Sequence, residues 1–369
     1  MAITANKPIL VIGGGLMGLS IAHELAQKGQ DVEVLSRKRS EAAGFVAAGM
    51  LAPHSEGLEG ELLKLGLISL KIIPKWIKEI EKNSGLNCGL KKCGIIVPFL
   101  DSKTRDQLPT AKLGKYLNRH ELEKEVPGLS KKWNTGILFE QDGQIDNRRK
   151  LMRALEKACV ELGVQFQEGV EVQGLINEGG RFHGLNIINA QGEKKVLKAN
   201  QAVLCSGAWS KQILEEIPVF PVKGQLLSMQ GPKNSLKRII FGPGTYLVPR
   251  EDGLIIAGAT SEKHAGFTEG LTPSGQNQLH EGITSLLPDA NKWPQMERWW
   301  GFRPCTPDEG PLLGESSSKG LWLATGHYRN GVLLAAITAL LLSKCICKEN
   351  LNDTEENLLQ TFNWQRFKG

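Results

Sequence analysis

Residues 8–36 read "PILVIGGGLMGLSIAHELAQKGQDVEVLS" and contain the signal that decides the fold. An apolar, β-branched run leads into three glycines, and a helical pattern of apolar residues follows them. Gly29 separates this pattern from a second β-rich run at residues 32–35. Strand, glycine turn, helix and second strand are typical of one β-α-β unit, so the stretch predicts an α/β, Rossmann-like domain.

The glycines of this stretch satisfy G-x-G-x-x-G at Gly13, Gly15 and Gly18. Gly13 would make the tight turn, Gly15 would let backbone N–H groups approach a pyrophosphate, and Gly18 would let the helix pack closely on the sheet. The helix N-terminus adds partial positive charge for the phosphates. A glycine-rich turn without a ligand is the alternative, but the strand-turn-helix context favours a dinucleotide site.

The second strand leaves the identity of the dinucleotide open. NAD and FAD proteins usually carry an Asp or Glu at its end to bind the ribose hydroxyls, and here that position is Ser36. A serine offers one hydrogen bond and no carboxylate. The next residues, Arg37, Lys38 and Arg39, would suit the 2′-phosphate of NADP, so this unit alone favours FAD and NADP about equally.

Composition and charge are those of an ordinary globular protein. The 369 residues are 41% hydrophobic and 23% charged, and 45 Lys and Arg against 39 Asp and Glu give a formal net charge of +6. The basic residues are scattered and form no stripe interleaved with aromatic residues, which argues against a nucleic-acid partner.

Cysteines and apolar runs bear on the compartment. The seven cysteines show neither a paired framework nor zinc-ligand spacing, so we expect no metal site and a reducing cytoplasm. Residues 1–8 are a short polar lead rather than a signal peptide. The apolar run at 332–342 is shorter than the roughly 20 residues of a membrane span, so none is expected.

The order of segments predicts two interleaved domains. One would comprise residues 1–85, 147–215 and 305–369, with a helix at about 60–83 that Pro74 should kink or divide. The other would comprise 86–146 and 216–304, in which short β-rich runs alternate with turns.

Several further motifs carry a resemblance to a known family. After the glycine turn come these stretches, in order: "AAGMLAPH" (47–54), "CSGAW" (205–209), "FPVKGQLLSM" (220–229), "YLVPR" (246–250), "IIAGAT" (255–260), "GFRPCTPDEGPLLG" (301–314) and "ATGHYRNGVLLA" (324–335). This order resembles the D-amino-acid oxidase superfamily of FAD enzymes over nearly the whole chain. "RP-x-T-PD" is shared widely there, whereas "GH-[YF]-RNG" is similar to glycine oxidases rather than to D-amino-acid dehydrogenases. Two departures are Ser36, in place of the ribose-binding acid, and Ala336, where the family often has proline.

The resemblance implies a fold, a cofactor and a reaction. The fold is a Rossmann-like FAD-binding domain interleaved with an α+β substrate domain that contains a large antiparallel sheet, and the FAD is non-covalent. The reaction is oxidation of glycine, sarcosine or a small D-amino acid by hydride transfer from Cα to flavin N5, with O₂ reduced to H₂O₂. Among glycine oxidases the imine supplies the thiazole of thiamine, and relatives associate as dimers or tetramers. The alternatives are a D-amino-acid dehydrogenase or oxidase of broader specificity, and a nucleotide-binding module without redox activity.

Three residues are candidates for binding the substrate. Arg303 suits the substrate carboxylate because a guanidinium donates two parallel hydrogen bonds. Tyr246, one of three tyrosines in the chain, would complete this clamp through its hydroxyl. Arg329 would contribute its side chain, facing a cavity for an anion, or its backbone carbonyl, as acceptor for the substrate amine. No proton-abstracting residue is required if the amine is neutral when hydride leaves.

The predicted cofactor-binding residues lie in the glycine turn, the end of the second strand, the small-residue loop, two later strand ends and the "HYRNG" turn. They are Gly13, Gly14, Gly15, Leu16, Met17, Gly18, Ser36, Arg37, Ala43, Gly44, Ala48, Gly49, Met50, Val172, Ser206, Gly207, His327, Tyr328, Arg329, Asn330, Gly331, Val332 and Leu333.

Overall fold

The structure is a computed structural model that describes residues 7–368. Residues 1–6, which hold most of the predicted polar lead and the start of the first domain segment, lie outside the described residues, as does Gly369. The strands are β1 Ile9–Ile12, β2 Val32–Ser36, β3 Met50–Leu51, β4 Ile95–Phe99, β5 Lys115–Asn118, β6 Thr135–Phe139, β7 Gly143–Gln144, β8 Gln165–Glu168, β9 Glu171–Glu178, β10 Arg181–Ile188, β11 Lys194–Lys198, β12 Ala202–Leu204, β13 Phe220–Gln230, β14 Ile239–Gly242, β15 Thr245–Pro249, β16 Leu254–Gly258, β17 Gln295–Cys305, β18 Leu312–Glu315 and β19 Leu321–Thr325. The helices are α1 Leu16–Gln27, α2 Gly60–Ser84, α3 Ser102–Arg105, α4 Arg119–Glu125, α5 Met152–Glu161, α6 Ser210–Ile213, α7 Pro273–Leu286, α8 Gly331–Ile346 and α9 Asp353–Thr361.

The opening β-α-β unit forms the centre of a mainly parallel sheet. Within residues 7–368 this sheet has six strands in the order β18-β19-β12-β1-β2-β8. β1 is parallel to both β2 and β12, and only the edge strand β18 runs antiparallel to its neighbour. The carboxyl ends of β1, β2 and β12 therefore meet at one edge, where α/β sheets bind ligands.

A second sheet is almost entirely antiparallel. In the described chain it has eight strands in the order β17-β13-β16-β15-β14-β4-β6-β5. β14 and β4 are the parallel pair that joins the two halves of this sheet. The prediction of a Rossmann-like unit interleaved with a large antiparallel sheet is confirmed.

Four helices build the main core beside the parallel sheet. α1, α2, α5 and α8 pack against one another through buried aliphatic side chains. α2 runs unbroken through Pro74 and ends at Gly85, which has φ 68°. Pro74 does not divide the helix, because buried side chains on both sides of it, Ile73 and Ile77, anchor the two halves in one core.

The strands of the two large sheets come from the segments expected for the two domains. The parallel sheet draws its strands from 9–36, 165–204 and 312–325, and the antiparallel sheet from 95–139 and 220–305. We propose the predicted boundaries for the two domains on this basis. Across residues 7–368, no helix combines the length and apolar character needed to cross a bilayer.

Candidate active site

A cavity of about 560 Å³ lies where the parallel sheet meets the antiparallel one. Its wall includes the turn at 13–15, the loop at 42–50, the start of α8, and residues of β13, β15 and β17. The volume is within the range of roughly 300–1,000 Å³ that is usual for ligand sites. One cavity therefore joins the glycine turn to the candidate substrate residues.

The glycine turn leaves backbone exposed at the end of β1. Gly13 has φ 115°, and a Cβ there would come within 2.6 Å of the carbonyl oxygen of Cys205. A Cβ on Gly18 would come within 1.9 Å of the carbonyl oxygen of Gly13, so α1 and the turn touch closely. α1 begins at Leu16 with no acidic residue in its first turn, which leaves its positive end available to an anion.

The small-residue loop is held against the cavity by buried partners. Gly49 has φ 85°, and a Cβ there would lie 2.0 Å from the carbonyl oxygen of Ile145. The N–H of Ile145 in turn donates a hydrogen bond to the carbonyl oxygen of Gly49. Arg250 donates from Nη2 to the carbonyl oxygen of Ala48 at 2.6 Å. These contacts hold the backbone of the loop in place, so that main chain rather than long side chains forms this part of the cavity wall.

The basic residues after Ser36 are already paired with carboxylates. The pairs are Arg37 with Glu41 at 2.8 Å, Lys38 with Glu41 at 3.2 Å, and Arg39 with Glu156 at 3.0 Å and Glu168 at 2.5 Å. Because these carboxylates offset the three charges, the run is poorly suited to a 2′-phosphate, and the structure favours FAD over NADP.

Arg303 lies in β17, on the face of the antiparallel sheet that forms the cavity wall. Its guanidinium occupies space beside Gly224 of β13, where an added Cβ would lie 2.2 Å from Nη1. Nη1 donates to the carbonyl oxygen of Thr260 at 3.1 Å. The glycine and the carbonyl hold the guanidinium in place, and its remaining N–H groups are available to an anion.

Tyr246 reaches the same cavity from β15, which is separated from the Arg303 strand β17 by two strands, β16 and β13. Its ring fills the space left by Gly258, where a Cβ would lie 2.6 Å from the phenol oxygen. Burial raises the pKa of Tyr246 to about 12, so the phenol stays protonated and is able to donate a hydrogen bond to an anion. Arg303 and Tyr246 therefore present hydrogen-bond donors to the same cavity.

The turn from His327 to Gly331 borders the cavity beside the end of β17. His327 is buried and its Nε2 lies 3.0 Å from Oγ1 of Thr338, while burial lowers its pKa to about 3, so the imidazole is neutral. Tyr328 has φ 46°, an uncommon conformation for a residue with a side chain, and its N–H donates to the carbonyl oxygen of Pro304 at 2.7 Å. These features bring the start of α8 to the cavity.

Arg329 borders the cavity, but its guanidinium is partly turned toward solvent. The side chain is 49% exposed, and Nη2 lies 3.5 Å from Oε2 of Glu309. An ion pair with this exposure contributes little binding energy. The exposure and the ion pair weigh against the first role predicted for Arg329, through its side chain, and the second, through its backbone carbonyl, stays a prediction.

Most residues predicted to bind the cofactor border this cavity. Those in its wall are Gly13, Gly14, Gly15, Leu16, Met17, Ser36, Arg37, Ala43, Gly44, Ala48, Gly49, Met50, Val172, Ser206, Gly207, His327, Tyr328, Arg329, Gly331 and Val332. Gly18, Asn330 and Leu333 are not in the wall: Gly18 packs on Gly13, Asn330 precedes α8, and the carbonyl of Leu333 accepts from Ser69.

Several other side chains in the wall were not predicted from the sequence, and three of them are polar or aromatic groups beside the quoted motifs. Trp209 ends "CSGAW", Ser261 follows "IIAGAT", and Glu56 lies just beyond "AAGMLAPHS". Their places next to recognised motifs are the available signal, because none forms a motif alone. Glu56 is the only one that brings a carboxylate close to Arg303 and Arg329.

Comparison with known proteins places the chain in a family. Residues 8–345 match the model of the FAD dependent oxidoreductase family. The match covers most of the chain, so the chain belongs to this family and FAD is its cofactor, as predicted.

Individual relatives within this family show which of its members the chain is similar to. The chain is 41% identical to the bifunctional protein ThiO/ThiG of Synechocystis over 98% of its own length and 54% of that protein. It is 30% identical to the glycine oxidase of Pseudomonas aeruginosa, over 92% of this chain and 94% of that one. The glycine oxidase of Geobacillus kaustophilus superposes with a TM-score of 0.89 at 28% identity, over 99% of this chain and 100% of that one. The chain spans about half the length of the first curated relatives that it matches.

The residues present fit FAD. At Gly13 and Gly49 the backbone carries no side chain, and a Cβ at either position would fill the space beside it. The N-terminus of α1 has no acidic residue in its first turn. Both features suit a pyrophosphate. The start of α8 at Gly331 and Val332 would place backbone N–H groups toward the ring system. Ser36 supplies a hydroxyl where a carboxylate is usual, so ribose binding there depends on a single side-chain hydrogen bond.

Proposed function

We propose that this protein oxidises glycine, and also sarcosine or small D-amino acids, to the imine, with O₂ as the acceptor that yields H₂O₂. One observation supports it above the others: Arg303 and Tyr246 share a single cavity with the glycine turn of the cofactor site. A carboxylate clamp beside a flavin site is the arrangement that amino-acid oxidation requires. The relatives named glycine oxidase favour glycine within this class.

The chain's own residues would bind and orient the substrate. Arg303 would hold the carboxylate with two N–H groups and Tyr246 would donate a third hydrogen bond. The backbone carbonyl of Arg329 would accept from the amine. Bound FAD would accept hydride from Cα and pass electrons to O₂, so the protein contributes mainly position and a fixed electrostatic environment.

The test is H₂O₂ release by the purified holoenzyme with glycine, sarcosine and D-alanine. We expect a yellow protein that turns over all three, with glycine or sarcosine preferred. A colourless protein that takes up no FAD on reconstitution would contradict the proposal. Faster turnover of bulky D-amino acids with a dye and none with O₂ would instead support a D-amino-acid dehydrogenase.

Replacing Tyr246 with phenylalanine should lower kcat/KM for glycine by about 10-fold, because one hydrogen bond to a charged group is lost while the ring still fills the space beside Gly258. Steady-state rates of H₂O₂ formation would measure the change. Tyr116→Phe, at an exposed tyrosine outside the cavity, is the matched control. Equal kinetics for Tyr246→Phe and the unmodified enzyme would remove the phenol from the clamp.

The fate of the product, the cellular compartment and the oligomeric state are part of the same proposal. We infer that the glycine imine supplies the thiazole of thiamine, that the protein acts in the cytoplasm, and that it associates as a dimer or tetramer. These inferences rest on the resemblance to glycine oxidases and on cysteine usage. Size-exclusion chromatography with light scattering would test the association.

A further inference from the structure

Glu56 places a carboxylate in the substrate cavity. It lies in the turn between β3 and α2, and its side chain is in the wall together with Arg303, Tyr246 and Arg329. Among residues 7–368, this carboxylate has neither an ion-pair partner nor a side-chain hydrogen bond. Glu56 is partly buried and borders the cavity, so its carboxylate is free to pair with a cationic group of a ligand that binds there.

The backbone around Glu56 is fixed by a buried carboxylate. Asp142, which is fully buried, accepts from the N–H and Oγ of Ser55 at 2.9 and 2.7 Å. Its other oxygen lies 2.6 Å from Nδ1 of His54. The N–H of Glu56 donates to the carbonyl oxygen of Ala52 at 3.0 Å. The turn therefore presents Glu56 from a rigid support.

The charges around Glu56 act in opposite directions. Burial raises the pKa of Glu56 to about 7, the guanidinium groups of Arg329 and Arg303 lower it, and Asp142 and Glu309 raise it. Tyr246, whose own pKa the Glu56 charge raises, and His54 are the other titratable groups near it. A pKa raised to about 7 would let Glu56 accept a proton near neutral pH.

We propose that Glu56 is a catalytic residue that binds the substrate's ammonium group and takes one proton from it, so that the amine is neutral when the substrate is oxidised. This rests on the proposed function. A clamp for the substrate carboxylate leaves the positive end of a zwitterion without a counter-charge, and Glu56 supplies one in the same cavity.

The proton transfer balances without an added reactant. One N–H bond of the ammonium breaks and leaves its electron pair on nitrogen, while an O–H bond forms on an Oε of Glu56. The products are a neutral amine and a neutral carboxylic acid, and nothing is oxidised or reduced in this step. The acid returns its proton to solvent after the product leaves. The carboxylate clamp and Glu56 together select substrates in which an amine lies next to a carboxylate.

The test compares Glu56→Gln with the unmodified holoenzyme across pH. Glutamine keeps the shape but neither carries charge nor accepts the proton, so we expect kcat/KM for glycine to fall by about 10- to 100-fold near neutral pH. In the unmodified enzyme kcat/KM should rise as pH passes about 7, where Glu56 ionises. That rise should be absent in Glu56→Gln, whose activity should increase only as the free amine itself loses its proton. Glu56→Asp should restore part of the rise.

Ligand binding separates this role from a structural one. Acetate has the carboxylate but no amine, and its binding can be followed by the change in flavin absorbance. Glu56→Gln should weaken glycine binding and leave acetate binding unchanged or tighter. Equal loss for both ligands, or an unchanged pH profile, would overturn the proposal. Glu59→Gln, at an exposed glutamate outside the cavity, is the control and should match the unmodified enzyme.

The two proposals fail in different ways. No H₂O₂ from the unmodified holoenzyme with any small amino acid would contradict the proposed function. The binding measurement still decides the role of Glu56 in that case, because discrimination between glycine and acetate needs no turnover. Turnover of glycine that Glu56→Gln leaves intact would contradict only the role of Glu56.

Discussion

Replacement of Arg303 with alanine is expected to reduce kcat/KM for glycine by ~100-fold or more. Truncating one member of a desolvated charge pair costs several kcal/mol, and about 1.4 kcal/mol corresponds to tenfold. The guanidinium is held by the carbonyl of Thr260 and fits against Gly224, so truncation to alanine removes a group that the surrounding structure positions. Initial rates of H₂O₂ formation over a range of glycine concentrations would measure the loss.

Two further variants test whether the loss of activity is specific to the guanidinium of Arg303. Arg303→Lys keeps a charge but not the planar fork, so it should recover only part of the activity. Arg298→Ala removes an exposed arginine from the same strand, outside the cavity, and should leave the kinetics unchanged. An Arg303→Ala enzyme with unaltered apparent affinity for glycine would remove this residue from the site.

Replacement of Gly18 with alanine is expected to strip the protein of flavin. Helix propensity alone predicts a gain of about 1 kcal/mol for this change in α1. The added Cβ would lie 1.9 Å from the carbonyl oxygen of Gly13, however, so the turn must move off the helix. We expect a Kd for FAD at least ~10-fold weaker, since overpacking typically costs 1–3 kcal/mol.

Flavin absorbance per protein after purification, followed by titration of the apoprotein with FAD, would measure this effect. Gly174→Ala is the matched control, because a Cβ at Gly174 in β9 meets no atom within 4 Å. If Gly18→Ala retained FAD as tightly as Gly174→Ala, close contact between α1 and the turn would not be what shapes the cofactor site.

Local patterns predicted the elements that bind the cofactor. The glycine spacing of residues 13–18 depends on contacts within one strand-turn-helix unit, and residues that are neighbours in the sequence determine such contacts. The motif around Arg303 and the "HYRNG" turn could be recognised in the same way. Pro74 was expected to kink or divide α2, and the helix is not divided, because a helix buried on both sides of a proline gains more from packing than it loses in one hydrogen bond.

Long-range pairing decided what the charged side chains do. Arg37, Lys38 and Arg39 suggested a phosphate site, but carboxylates that include Glu156 and Glu168, more than a hundred residues away, offset their charge. Arg329 was expected to contribute its side chain or its backbone carbonyl, and at the border of the cavity its guanidinium lies beside Glu309. Arg37 and Lys38 pair locally with Glu41, whereas the partners of Arg39 and Arg329 are too far away in the chain for a local pattern to predict them.

The sequence by itself determined the β-α-β unit, the glycine turn and the family, because each depends on residue types at fixed short spacing. Only the tertiary structure decided that Arg303, Tyr246 and Glu56 share one cavity. Their convergence depends on the register of β13, β15, β16 and β17, and on the hydrogen bonds from Asp142 to the turn that carries Glu56. Such contacts join residues far apart in the chain, and their geometry is set by how the two sheets pack.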